Sequence, residues 1–512
     1  MSRTEASIKN TASAFVIQFG TIVLNFISRT VLIKTMGEQY LGINGLFGNI
    51  LNMLSLAELG IGTTITYWLY EPMAKNDKTR INLLMAIYSK IYNALGIGIL
   101  IVGISISPFL SFFMKEVPDI PHITFIYIMY VVHMAMSYFV VYKSTLINVA
   151  QKNYIVNSIK FIISIITIIV QIVILLLFKN YILYYFCSII SVLFGNIIVS
   201  VKAEKMFPFL DTSVKVKLTK EEKRELKKDI SAIFSHNIGS FVLTSTDNII
   251  ISKFIGVIQV GLYSNYTMII HAVQKFLDII FGSLTSSIGN LLNATSKEES
   301  YKVFKNIFFA TSWLVGFCSV CLYVLLNPFI TLWLGERYIF ENYVVFFIVL
   351  NFYLMFIRRP ANTFKHCAGY FRNDRYKPYI ESLINLVTSI WLAQKYGIGG
   401  VFMGTAIATI TACIYVEPYI LYKHFYERNV LEYFKMFFKY LIVTILSVVI
   451  INLFALPIRS INYLSFIYQM GLCTIIPNVL FYIFFRKTKE MDYFKKLMMK
   501  MLGKLIKRNE IL

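Results

Sequence analysis

The chemistry open to this sequence rests on a few charged side chains set inside long apolar stretches. Arg29 lies deep in the apolar run 12–35, and the next charge along the chain is Lys34. Lys275 and Asp278 sit three residues apart in the run 257–290, with His271 one turn before Lys275. Asp247 lies in the run 229–252, and Glu58 lies within LAELGIG at 56–62. A charge at the centre of a bilayer costs ~2.5–3.5 kcal/mol on insertion scales, so each of these groups must face protein or water. Arg29 offers a planar fork of donors that suits a phosphate. The same residue could instead close an interhelical ion pair or extend its stem outward to the interface. Lys275 and Asp278 share one helix face, where they either neutralise each other or line water as a polar stripe. Glu58 needs a partner, and the neighbouring glycines permit a bend or a close helix approach.

Lys90 and Lys160 stand about two turns inside the cytoplasmic boundary of their runs, from the helical rise. They either snorkel or form a basic cytoplasmic mouth with Arg358 and Arg359 at the inner end of the run 342–357. Glu381 and Glu417 fall near run ends, where an interfacial position is expected. The sequence contains no Walker A loop, no G-x-S-x-G and no HExxH, so nucleotide hydrolysis and the familiar hydrolase chemistries have no visible seat. Cys318 and Cys321 have CxxC spacing but no accompanying Cys or His pair. They are read as small apolar residues, with no metal, no cofactor and no disulfide expected. The residues describe a conduit, not an enzyme.

These side chains must be positioned by elements that suit a membrane. The chain is 57% hydrophobic and only 15% charged, which excludes a soluble multidomain enzyme. Crossing the hydrocarbon takes roughly 20 apolar residues in a helix. Fourteen stretches qualify: 12–35, 42–69, 82–113, 121–142, 155–178, 180–201, 229–252, 257–290, 303–330, 342–357, 379–394, 398–422, 440–456 and 463–485. The first is too long for a cleavable signal and lacks a small-residue cleavage site. The net charge of +22 reports orientation. With the N-terminus inside, only Lys34, Lys115, Lys179, Lys253, Arg337, Lys395 and Arg459 fall in outer loops. Arg29, Lys90, Lys160 and Lys275 lie within spans, and the rest of the basic residues are cytoplasmic. No nucleic-acid partner is expected, and both termini are placed in the cytoplasm.

The sequence repeats itself at an offset of 219 residues. Residues 11–50 laid on 230–269 share Phe15/Phe234, Gly20/Gly239, Lys34/Lys253, Gly37/Gly256 and Gly42/Gly261, among other identities. The boundaries of the first six spans reappear, shifted by 219, in spans seven to twelve. Six spans is an even number, so the halves are parallel repeats, which in transporters flank a substrate path. Asp247 then occupies the position of Ser28, beside the equivalent of Arg29. An Asp247–Arg29 pair is natural, either as a structural pair or as a site coupling transport to H+ or Na+. The expected organisation is an N-lobe at 1–201, a cytoplasmic connector at 202–228, a C-lobe at 229–424, an appended span pair at 425–485 and a basic tail at 486–512. In the tail Phe494, Leu497, Met498, Met501, Leu502, Leu505 and Ile506 recur at helical spacing, as in a helix lying on the anionic inner leaflet.

Several strings together resemble a known family. They are LAELGIGTTITYWLY (56–70) with AKND (74–77), TDNIIISKFIG (246–256) with VGLYSNY (260–266), RRPANTFKHCAGYFRNDRYKP (358–378), GIGGVFMGT (397–405) and EPYILYKH (417–424). Their order resembles the Wzx-type flippases, the polysaccharide-export branch of the multidrug/oligosaccharidyl-lipid/polysaccharide (MOP) superfamily. The resemblance implies an all-α polytopic protein with two six-helix lobes in a MATE-like arrangement and a central cationic cavity. It implies as substrate an undecaprenyl-diphosphate-linked oligosaccharide, moved across the bacterial inner membrane for capsule, O-antigen or exopolysaccharide synthesis. Glycosyltransferases and a polysaccharide polymerase would then be partners. Arg29 is the first position to carry the cationic role, and Lys275 is the second. Competing expectations are a flippase for the peptidoglycan lipid precursor, a MATE-like cation or drug antiporter with an acidic cavity, and a membrane scaffold that transports nothing.

Overall fold

The computed structural model describes residues 3–58, 60–213, 218–370, 373–374, 376–456, 460–496 and 499. It is an all-α polytopic membrane architecture. Among the described residues, eleven segments are long and apolar enough to cross a bilayer. One of them, Lys377–Tyr426, is 50 residues long and bends at Gly397, where φ is +58°. It therefore covers two of the stretches expected from sequence. The stretch 42–69 escapes the count because it is broken into two short helices, and 229–252 escapes because its own Ser, Thr, His, Asn and Asp residues lower its hydropathy.

The chain divides into two compact units, Met1–Ser264 and Asn265–Leu512. The first holds α1 (Arg3–Met36), α2 (Glu38–Leu54), α3 (Ile61–Ala74), α4 (Lys78–Ile106), α5 (Ile123–Tyr138), α6 (Ser144–Val149), α7 (Asn153–Phe178), α8 (Tyr181–Met206) and α9 (Lys220–Phe254). It ends in the first turns of α10 (Val257–Ala294). The second holds the rest of α10, then α11 (Lys297–Leu334), α12 (Asn342–Ile357), α13 (Arg359–Cys367), α14 (Lys377–Thr409), α15 (Val416–Ile420), α16 (Leu431–Ala455) and α17 (Tyr463–Phe485). The unit boundary follows packing, and α9 packs on α2 and α3. It therefore falls downstream of residue 229, where the sequence repeat begins its second copy.

Two local features set the shape of the first unit. Gly60 has φ +92°, a left-handed value that side chains resist. It follows a short 3₁₀ turn at Ser55–Glu58 and separates α2 from α3. A Cβ at Gly60 would lie 2.9 Å from the Ile230 carbonyl oxygen, so the break also lets α9 pass close by. The second feature is the contact of Gly42 with the start of α10. A Cβ on Gly42 would lie 2.3 Å from the Val257 carbonyl oxygen, and one on Gly261 would lie 2.9 Å from the Gly42 nitrogen. These glycines are the repeat-related pair, and they touch each other. Gly42→Val should force these backbones apart and lower stability by about 1–3 kcal/mol, which a thermal or denaturant unfolding midpoint in detergent would register.

The connector is fastened to the first unit. Thr219 and Glu222 form a capping box that starts α9. Glu222 pairs with Arg80 at 2.7 Å, and Asp229 accepts from Trp68 Nε1 at 3.0 Å. Asn82 donates to the Phe209 carbonyl at 2.9 Å and accepts from the Asp211 amide at 3.2 Å. In the second unit, an aromatic core runs through Phe304, Phe308, Tyr422, Tyr433 and Phe481, all nearly or fully buried. The expected amphipathic tail residues Leu497, Met498, Met501, Leu502, Leu505 and Ile506 lie outside the described residues.

Candidate functional site

In the first unit Arg29 is carried by α1 and reaches the start of α10. Its guanidinium donates to Ser264 Oγ, whose hydroxyl donates in turn to the Gly261 carbonyl at 2.6 Å. Tyr184 on α8 stands within electrostatic reach of Arg29 and shares a hydrogen bond with Ser28. Behind it is a tyrosine layer on α5 and α8. The Tyr130 and Tyr181 hydroxyls meet at 2.7 Å, the Tyr130 and Tyr185 rings stack at 3.8 Å, and Tyr185 meets His133 Nδ1 at 2.8 Å. These rings are almost wholly buried. They pack against one another and are not free faces for sugars.

Asp247 on α9 acts on Tyr263, the residue next to Ser264. The structure thus brings Arg29 and Asp247 to adjacent residues of α10. Glu58, in the 3₁₀ turn between α2 and α3, accepts hydrogen bonds from Tyr92 on α4 and Tyr138 on α5. Its partners are phenols, which no sequence spacing announced. Lys90 and Lys160 are exposed.

In the second unit two expectations change. Asp278 does not pair with Lys275; its carboxylate takes Arg359 Nη2 at 2.8 Å. Helical spacing puts Lys275 on the same face, but the charge-assisted contact is made by an arginine on α13. Lys275 and His271 are exposed on α10. Arg358, expected at an open mouth, is instead bound in a buried ionic cluster. Its Nη1 lies 2.7 Å from Glu417 Oε1, Lys377 binds the same carboxylate, and Asp374 joins Lys365 to Lys377. Glu417 and Lys365 have no exposed surface. Glu417 and Glu381, read from sequence as lying near span ends, are covered by protein. Both are buried, and Glu381 accepts from Thr409 at 3.3 Å. Two π-helical stretches, Ile410–Ile414 and Leu421–Tyr426, bracket α15 and turn Glu417 inward. The density of charge in 358–378 was the only sequence signal of this cluster. Cys321 on α11 meets Cys473 on α17 thiol to thiol, a neighbour that CxxC spacing did not reveal.

No family model matches the sequence, and no curated protein matches it. Solved structures do. The chain is similar in fold to the lipid II flippase MurJ in an inward closed conformation, with TM-score 0.65 and 16% identity over 93% of this chain and 98% of that one. It is similar to an inward-facing multidrug resistance MATE family transporter of the MOP superfamily, with TM-score 0.56 and 15% identity over 77% and 92%. A MATE transporter of Vibrio cholerae gives TM-score 0.55 and 12% identity over 83% and 99%. The fold is that of flippases and MATE transporters.

Proposed function

We propose that this protein is a flippase for an undecaprenyl-diphosphate-linked oligosaccharide, carrying it from the cytoplasmic to the outer leaflet by alternating access. The observation that carries the reading is Arg29, a cation placed in mid-span and held by Ser264 beside a tyrosine wall. Dragging a diphosphate and its sugars through ~30 Å of hydrocarbon is prohibitive without a polar path. A guanidinium in that path offsets the desolvation of the diphosphate through paired hydrogen bonds. Lys275, exposed on α10, is the second cation assigned to the substrate. The headgroup would travel in water while the prenyl chain stays in lipid. Transport needs no bond-breaking step in this chain, and its energy would come from an ion gradient, the membrane potential or consumption of the product outside. The setting would be a bacterial cell membrane, with both termini cytoplasmic, alongside glycosyltransferases and a polymerase.

The similarity to a lipid II flippase supports a lipid-linked substrate. It also raises a second reading, in which the cargo is the peptidoglycan precursor. Deletion of the gene, followed by analysis of where lipid-linked intermediates accumulate, separates the two. Oligosaccharide repeat units should collect in the inner leaflet, while peptidoglycan precursor reaches the outer leaflet as before. Normal arrival of the repeat units outside would remove the proposal.

A further inference from the structure

The second unit holds a cavity of about 220 Å³ between α11, α12 and α16. Its wall is largely apolar, with Val320 on α11, Val349 and Leu350 on α12 and Val448 on α16. Phe346, Ile445 and Val449 also line it, and each is about half exposed. On α16 the same exposed face continues through Ile442 and Leu453. A surface of this composition within the spans faces hydrocarbon, so the cavity opens to the lipid. Among the described residues, none that lines it is charged.

Two hydroxyls set it apart from an apolar crevice. Ser319 on α11 and Tyr353 on α12 line the cavity and are only 6% and 4% exposed. Among the described residues, neither hydroxyl has a hydrogen-bond partner. Other helical hydroxyls in this unit donate to the carbonyl one turn back. Ser312 donates to Phe308 at 2.7 Å, Thr444 to Tyr440 at 3.0 Å and Ser447 to Val443 at 2.8 Å. Ser319 makes no such bond, so its proton is uncommitted, as is that of Tyr353. An unpaired buried hydroxyl is unfavourable, and the bilayer core supplies no water to pair it.

Those two protons define the ligand. It comes from the lipid phase and is uncharged, because the wall offers no counter-ion. It must also bring acceptors. A plain acyl or prenyl chain has none and would leave both hydroxyls unpaired. An alcohol brings lone pairs but adds a proton that needs a partner of its own. A carbonyl oxygen brings two lone pairs and no proton. The rings of Tyr323, Phe346 and Tyr353 line the same space, which suits a flat ring. The volume falls below the roughly 300–1,000 Å³ of drug-sized sites, so it holds one ring and leaves a tail in the bilayer. We infer that this cavity binds a lipid-phase quinone, whose carbonyl oxygens accept from Ser319 and Tyr353.

Binding at this site does not depend on the flippase reading, and its test does not use transport. The purified full chain in detergent micelles is titrated with decylubiquinone, and bound quinone is counted by native mass spectrometry. Saturable binding of a single quinone per chain is expected. Ser319→Ala and Tyr353→Phe should each weaken it by about 3- to 10-fold, the effect of one lost hydrogen bond. Without ligand, both variants should unfold at or above the native midpoint, because each removes an unpaired buried hydroxyl. A lowered midpoint in either would mean that its hydroxyl has a protein partner, and would overturn the inference. So would a lack of saturable binding, or affinity unchanged in either variant. Dodecane and dodecanol serve as competitors. If either displaces the quinone as well as unlabelled decylubiquinone does, the site selects a chain or a hydroxyl and the quinone assignment falls.

Discussion

Arg29→Ala is expected to abolish export of the lipid-linked oligosaccharide while leaving the protein in the membrane at its normal level. The guanidinium is the cation most deeply placed in α1, and it donates a hydrogen bond to the neutral Ser264 hydroxyl. A guanidinium can bind a phosphate through paired, charge-assisted hydrogen bonds. Losing a charge-assisted contact in a desolvated site costs about 2–4 kcal/mol, so transport should fall by roughly 30- to 1000-fold. Arg29→Lys keeps the charge and loses the planar fork, and an intermediate rate about tenfold below the native one is expected. The measurement is the fraction of lipid-linked oligosaccharide reachable from outside in spheroplasts, normalised to protein in the membrane. An alanine variant of full activity would take Arg29 out of the site.

The second large effect concerns stability. Glu417 is fully buried and neutralises both Arg358 and Lys377. Glu417→Gln removes the anion and leaves two cations in a low-dielectric interior. Breaking a buried pair in this way costs about 3–5 kcal/mol, enough to lower the unfolding midpoint by several degrees and to reduce the amount recovered from membranes. The paired replacement Arg358→Leu with Glu417→Leu should be far milder. It removes one charge of each sign and leaves Lys377 with Asp374 at 3.3 Å. If the single and double variants are equally unstable, the cost is one of packing and not of charge. Asp374 lies outside the spans and responds to pH. Burial pushes its carboxyl up, but hydrogen bonds and charge from Lys365 and Lys377 outweigh this and hold it below the usual carboxylate range. Its contribution is therefore present at neutral pH and is lost only as the pH falls through that lowered value.

Much of the fold was legible because a membrane constrains a chain so tightly. Backbone groups in lipid must bond within a helix, so long apolar runs and the distribution of lysines gave the helical architecture without further information. The break at Gly60 was announced by LAELGIG, since two glycines just after a charged residue suit a bend. Ion-pair partners were less legible. Lys275 and Asp278 looked like a pair because helical spacing is local, yet the partner of Asp278 is Arg359, 81 positions away. Glu417 finds Arg358 59 positions upstream, and nothing in either neighbourhood encodes that distance. Tyr92 and Tyr138 read as two among 34 tyrosines, and only the packing of α4 and α5 singles them out. Arg29 was visible from its isolation, whereas Ser264, which holds it, was not.

The fastened connector has a practical consequence. The longest polar segment of a membrane protein is the usual choice for an inserted epitope, a protease site or a fluorescent domain, because loops tolerate added length. Here Phe209, Asp211, Glu222 and Asp229 are tied to Asn82, Arg80 and Trp68. An insertion at any of those four positions would pull α9 away from α3 and α4, so a reporter placed there would alter the behaviour it was meant to record.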